Sequence, residues 1–196
     1  MPALEIMLDG ITVVTVSTEE LSMLTARVGG TLIDDVIASL NVSGGNYSQN
    51  GSSSHLTWIA DTPLQAGQRI RVLFHQDGQS SHASKTIDEL YPDEPPLAQT
   101  DFTSTAEMFQ KLRAMAKVRE KFVIDLSASS GASFHGETTA GEDSFALSIL
   151  WDSMHPERAR VSLHSNSLEN LEARGPLNYL FKADLSFGGF VELRIA

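Results

Sequence analysis

Along most of this chain an apolar residue occupies every second position and a polar residue the position between, which is the pattern of β-strands with one buried and one exposed face. Ala3–Leu8 and the β-branched run 11–16 are separated by Asp9-Gly10, a dipeptide typical of a tight hairpin turn. Further alternating runs cover 24–28, 56–60, 70–74, 122–126, 144–151, 158–164, 177–187 and 190–195. The pattern therefore predicts a protein built mainly from short strands.

Two more hairpins are predicted from turn residues between these runs. Asp61-Thr62-Pro63 and then Gly67 separate 56–60 from 70–74, and Gly188-Gly189 separates 177–187 from 190–195. The segment 31–42 is ambiguous: strict alternation favours a strand over 36–42, whereas Thr31 as an N-cap and apolar residues at helical spacing favour a helix over 32–40. We expect the strand.

Helical spacing is clearest after residue 103. Ser104 and Glu107 form a capping box, and an apolar face with helical periodicity follows, consisting of Met108, Phe109, Leu112, Met115 and Ala116. A shorter helix is predicted over 168–173, where Gly175-Pro176 ends it.

The acidic, proline-bearing stretch around Pro92–Pro96 is the clearest candidate boundary. We predict a mainly β, α+β chain with a β-rich, antiparallel β-sandwich-like segment over 1–91 and a linker over 92–101. The segment 102–196 is predicted to be α+β, with one long helix packed on an antiparallel sheet. No internal repeat of fixed period is apparent, which argues against a solenoid or a propeller.

Composition limits the compartment and the partners. The chain has no cysteine, its first residues do not resemble a secretory signal, and no apolar run is long enough to span a bilayer. These features predict a cytoplasmic protein without membrane association. The formal charge is -11, with 12 acidic and 4 basic residues in 1–95, so we expect no nucleic-acid binding and consider a basic protein partner.

The sequence lacks the motifs that identify common enzymes. It contains no P-loop, no dinucleotide-binding glycine motif, no nucleophile elbow and no H-E-x-x-H helix, and no cofactor is predicted. His135 with Glu137 and Asp143, in a glycine-containing loop, could serve as base and acid in a small hydrolase or isomerase.

Two other loops carry candidate ligand groups. His75, Asp77 and His82 could converge on a metal ion. The glycine-, serine- and asparagine-rich loop 43–54 carries candidate binding residues, namely Asn46, Tyr47, Asn50 and the adjoining His55. We expect a non-enzymatic binding or protein–protein interaction protein of a bacterial cytoplasm, of immunity or adaptor type. The alternatives are the hydrolase or isomerase and a β-sandwich that binds a small molecule or a glycan.

Overall fold

A computed structural model describes residues 1–47, 53–93 and 105–196, and these residues form twelve strands and three helices. The strands make two antiparallel sheets of six strands each. The mainly β class predicted from the alternating pattern is therefore confirmed.

The first sheet, sheet A, has the strand order β2-β1-β6-β12-β7-β8. Its strands are listed here in that order: Ile11–Ser17, Ala3–Leu8, Arg69–His75, Phe190–Ile195, Val123–Ala128 and Ser133–Glu137. The hairpin of β1 and β2 turns at Asp9 and Gly10, both with positive φ, as the sequence predicted. Strand β8 was not predicted, because its residues were assigned to a loop.

The second sheet, sheet B, has the strand order β11-β10-β9-β3-β4-β5. In that order the strands are Asn178–Ser186, Arg158–Asn166, Ser144–Asp152, Met23–Thr31, Ala38–Asn46 and Ser54–Leu64. Strand β4 confirms the strand predicted after residue 36, while residues 32–37 form turns and bends without a helix. Strand β5 continues through Asp61–Pro63, where a turn was predicted, and accommodates the irregularity by register shifts against β4.

One hydrophobic core lies between the two sheets. It takes alternate residues from the strands of both, among them Leu4, Val72 and Leu126 of sheet A and Leu24, Leu147 and Leu163 of sheet B, all almost fully buried. Burial of this much apolar surface is the main stabilising contribution expected for such a fold. The remaining face of each sheet points away from the core.

The hairpins predicted around Gly67 and Gly188-Gly189 are wrong, because the two strands joined by each turn do not pair with each other. Strand β5 lies in sheet B and β6 in sheet A, and β11 and β12 are divided between the sheets in the same way. The turn at Gly67 and the turn at Gly188-Gly189 therefore carry the chain from one sheet to the other. Alternation and turn residues are the same in a hairpin and in such a crossing, so the local sequence does not distinguish them.

The helices lie outside the sheets. Helix α1 (Ile87–Leu90) begins with a complete capping box of Thr86 and Glu89. Helix α2 (Thr105–Ala114) buries Phe109 and contacts α3 (Leu168–Glu172), with an ion pair between Arg113 and Glu172. The predicted capping residue Ser104 lies outside the described residues.

The two halves of the chain repeat one topology. In each half the first two strands form a hairpin in one sheet, the next three form a meander in the other, and the sixth returns to pair with the first. Strands β7–β12 repeat β1–β6 in this order. An internal repeat is therefore present, contrary to the expectation from the sequence.

The repeat keeps a nearly constant spacing of 121 residues. Left-handed backbone occurs at Gly10, Glu20 and Gly67 and again 121 positions later, at Gly131, Gly141 and Gly188. The buried positions recur with the same spacing, in the pairs Leu24 and Phe145, Ala26 and Leu147, Val28 and Ile149, Ala38 and Ala159, Leu40 and Val161, Val42 and Leu163, Leu64 and Leu185, Ile70 and Val191, Val72 and Leu193, and Phe74 and Ile195.

Backbone hydrogen bonds repeat as well. The amide of Gly67 donates to the carbonyl of Ile195 at 2.7 Å, and Gly188 donates to Phe74 at 2.8 Å. The two donors are 121 residues apart in the chain, and so are the two acceptors. An approximate two-fold axis therefore exchanges the two hydrogen bonds. The same exchange relates the bond from Leu32 to Asp143 and the bond from Ser153 to Ser22.

The axis passes through the centre of each sheet. In sheet B, Arg27 of β3 stands opposite Ser148 of β9, and in sheet A, Arg71 of β6 stands opposite Glu192 of β12. Each residue is 121 positions from its neighbour across the strands. The described residues of the segments 1–91 and 102–196 thus each form a unit of three plus three strands, but both units share the two sheets and one core.

The repeat predicts how exchanges at left-handed positions change stability. Gly67→Ala and Gly188→Ala should each lower the free energy of unfolding by about 1 kcal/mol, since an added Cβ strains left-handed backbone at both places. Glu20→Gly should raise it by about 0.5 kcal/mol, because it removes the same strain at the position that corresponds to Gly141. Urea unfolding measures all three, and a loss of stability in Glu20→Gly would contradict the assignment.

Candidate functional site

The outer face of sheet B carries a trough of about 680 Å³, here called the N-terminal trough. Its floor is made of outward-pointing residues of β3, β4 and β9, most of which have small or short polar side chains: Thr25, Gly29, Ser39, Asn41, Ser43, Ser144 and Ala146. Small side chains in the middle of a sheet leave space above the backbone. The floor therefore presents hydroxyl and amide groups at the bottom of a concave surface.

One wall of the trough is the segment 31–37, which Arg119 holds in place. The Arg119 guanidinium donates to the carbonyls of Thr31, Asp34 and Asp35 at 2.7, 2.6 and 3.0 Å. Gly30 permits the segment to approach the sheet, since a Cβ there would lie 2.2 Å from the carbonyl oxygen of Ile37. This wall is thus a fixed part of the fold.

The opposite wall contains two of the predicted binding residues. The Tyr47 hydroxyl lies 3.0 Å from Nδ1 of His55, and the Tyr47 amide donates to Oγ of Ser22 at 2.9 Å. Both Tyr47 and His55 line the trough. Asn46 ends β4, where its amide donates to Oγ of Ser54 at 3.2 Å, and Asn50 lies outside the described residues.

Charged groups of both signs line the trough. Arg27 projects from β3 beside the two-fold axis, and no carboxylate of the described residues forms an ion pair with it. Asp34 and Asp61 lie at the margins, and Asp61 accepts a long hydrogen bond of 3.5 Å from the Asn41 amide. The arrangement can bind a polar ligand with a group of either charge.

Two polar side chains at the end of the trough, one half-buried and one buried, have hydrogen-bonding atoms without a partner among the described residues. His164 is half-buried and its Nδ1 has no partner among the described residues; burial, together with the charge of Arg27, lowers the pKa of this imidazole. Asn166 is 3% exposed, and its Oδ1 accepts from Asn170 while its Nδ2 has no partner in the described part of the chain. Buried polar atoms usually have hydrogen-bond partners, so these two nitrogen atoms could form hydrogen bonds with a bound ligand.

The three predicted catalytic residues are engaged by different partners. His135 lies on the edge strand β8 and forms an ion pair with Asp125, and Glu137 pairs with Lys121 at 2.7 Å.

Asp143 pairs with Lys117 at 2.6 Å and accepts from the amide of Leu168 at 2.7 Å. His135 and Glu137 are largely exposed at the edge of sheet A.

The predicted metal ligands are also kept apart. Nε2 of His75 lies 2.7 Å from Glu5, Asp77 accepts from the amino group of Met1 at 2.5 Å, and Nε2 of His82 lies 3.3 Å from the carbonyl oxygen of Trp58. Within 1–47, 53–93 and 105–196, no group of three or more His, Asp or Glu side chains converges as a metal site. His75 ends strand β6, and its side chain contacts Glu5 of the neighbouring strand β1.

Sequence reasoning missed the floor of the trough and its charged centre. Arg27, Asn41 and His164 occupy the outward positions of three different strands and are far apart in the chain. Alternation identified these positions as exposed. Only the strand order, which places β10, β9, β3 and β4 side by side, brings them together.

Comparison with protein-family models, with curated proteins and with solved structures finds no match for this chain. In the described ranges, no helix has the length and apolar character needed to span a membrane.

His164 should make stability depend on pH. Its pKa is lowered in the folded protein, so the unfolded chain binds the proton first as the pH falls through the ordinary value of 6.5. The free energy of unfolding should therefore fall as the pH is lowered through this range, and it should stop falling below the folded-state pKa. Urea unfolding between pH 8 and pH 5 measures the slope.

Two variants assign this slope to its cause. His164→Gln should remove the contribution, and Arg27→Gln should reduce it, because Arg27 supplies the repulsion that adds to burial. An unchanged slope in His164→Gln would show that another group is responsible.

Proposed function

We propose that this protein is a non-enzymatic interaction protein that binds a segment of a partner protein in the N-terminal trough. The observation that carries the proposal is the combination of a concave, polar floor with Arg27, which has no ion-pair partner among the described residues, the Tyr47–His55 pair and the acidic margin. Rigid sheets that present polar side chains and loops are common recognition surfaces. Of the candidate catalytic residues, by contrast, His135 and Glu137 are exposed and paired on sheet A, and Asp143 is paired with Lys117.

The partner segment is expected to be basic or mixed in charge. Asp34 and Asp61 line the trough, and the N-terminal half as a whole is strongly acidic. Long-range attraction of this kind accelerates association with a basic partner. The absence of cysteine fits a reducing compartment such as a bacterial cytoplasm, which is the setting we propose.

A trough-filling variant tests the proposal. Ser39→Arg places a long side chain over the floor, and the fold tolerates arginine there because Arg160 occupies the corresponding position of the repeat. Ser127→Arg is the matched control, since Ser127 is exposed on strand β7 of sheet A. Each tagged protein is used to isolate partners from the native cell, with binding then measured on the purified pair.

The expected result is a stoichiometric protein that the unchanged chain and Ser127→Arg retain, and that Ser39→Arg binds at least tenfold more weakly. Failure to retain any stoichiometric protein, or equal binding by both variants, would count against the proposal.

A second candidate function is the binding of a small polar molecule or a glycan. The volume of about 680 Å³ favours it, because small-molecule sites commonly lie in the range of about 300–1,000 Å³. In a panel of saccharides and polar metabolites, a ligand should raise the melting temperature of the unchanged protein and not that of Ser39→Arg. A panel without any such shift argues against this alternative.

A further inference from the structure

The internal repeat relates the N-terminal trough to a second hollow in the other half of sheet B. The positions 121 residues after Arg27, Gly29, Ser39, Asn41 and Asp61 are Ser148, Leu150, Arg160, Ser162 and Lys182. All five of the first set line the N-terminal trough, and all five of the second set line a separate hollow of about 500 Å³ on β9, β10 and β11. We name this hollow the C-terminal trough.

The two troughs have opposite chemistry at corresponding positions. Asp61 in the first corresponds to Lys182 in the second, and the short Ser39 corresponds to Arg160. Asp184, the acidic side chain that lines the second trough, is held in an ion pair with Arg158 at 2.9 Å. The lining of the C-terminal trough thus carries two cationic side chains, Arg160 and Lys182, and one paired carboxylate, on a chain whose net charge is -11.

The cationic side chains are held in position by their neighbours. One guanidinium nitrogen of Arg160 pairs with Asp152 at 2.9 Å, and the other donors of the guanidinium have no partner among the described residues. The Lys182 ammonium lies 3.5 Å from the centroid of the Tyr179 ring, which is half exposed. Lys182 therefore lies over an aromatic surface, and Arg160 on the neighbouring strand can donate further hydrogen bonds to a carboxylate.

The C-terminal trough also reaches an open edge of the sheet. Strand β11 is the last strand of sheet B, and four of its residues, Tyr179, Lys182, Ala183 and Asp184, line the trough. An edge strand has backbone amide and carbonyl groups on one side without a strand partner. An extended peptide can pair with such an edge while its alternate side chains enter an adjoining hollow.

We propose that the C-terminal trough is a second binding site, which takes an acidic peptide segment of a partner protein lying along β11. The carboxylates of the segment contact Arg160 and Lys182, and an apolar side chain contacts the Tyr179 ring. A peptide fits better than a nucleic acid, because the backbone of an extended peptide can pair with the open edge of β11, whereas a polyphosphate backbone cannot. The site is separate from the N-terminal trough, and its test does not depend on the function proposed for that trough.

The probe is a fluorescein-labelled synthetic peptide with the sequence Asp-Glu-Leu-Asp-Glu-Leu, titrated with the full chain and followed by fluorescence anisotropy at 50 mM salt. The double variant Arg160→Ser/Lys182→Asp gives the C-terminal trough charges that resemble those of the N-terminal trough. Lys117→Ser/Lys121→Asp is the matched control, since these lysines are about half exposed and lie outside both troughs. A single-stranded oligonucleotide and inorganic pyrophosphate are titrated in parallel as competitors.

We expect the unchanged chain and the control variant to bind the peptide with equal affinity, and Arg160→Ser/Lys182→Asp to bind it at least tenfold more weakly. Ser39→Arg should bind the peptide like the unchanged chain. Absence of peptide binding, equal binding by the double variant, or displacement of the peptide by the oligonucleotide or pyrophosphate at equal concentration would overturn the proposal. Circular dichroism confirms that each variant is folded before it is compared.

Discussion

The structure depends on two pairs of antiparallel strands that join the halves of the chain. Strands β3 and β9 are neighbours at the centre of sheet B, and β6 and β12 are neighbours at the centre of sheet A. Each half alone would provide two sheets of three strands, with apolar residues exposed at the central strands. Pairing at both places converts four open edges into two continuous sheets and closes one core over both halves.

Residues on the two-fold axis can differ between the halves of a single chain, whereas in two identical subunits they would have to be the same. In a symmetric dimer each position on the axis faces its own copy, so an arginine at the position of Arg71 would oppose another arginine. Like charges opposite each other on neighbouring strands are destabilising. Here Glu192 faces Arg71, with 2.6 Å between the guanidinium and the carboxylate, and Arg71 also covers the ring of Phe190. The two halves have become complementary instead of equivalent.

The same divergence distinguishes the two halves of the outer face of sheet B. Core positions keep apolar residues in both halves because each must fill the same layer between the sheets. Outward positions carry no such constraint, and they differ in charge and in size between the troughs. The outer face of sheet B therefore combines one rigid framework with two surfaces of different chemistry, and both proposed binding sites lie on it.

The sequence by itself determined the class of fold, the first hairpin, the strand after residue 36 and the exposed positions of most strands, since alternation and turn residues are local properties. Only the tertiary structure decided that Gly67 and Gly188 direct the chain to the opposite sheet, and that β3 meets β9. It also decided that Tyr47 and His55 share a site with Arg27, whereas His75, Asp77 and His82 do not converge. These outcomes depend on which strands become neighbours, and that choice is made by burial of the whole core and not by any one segment.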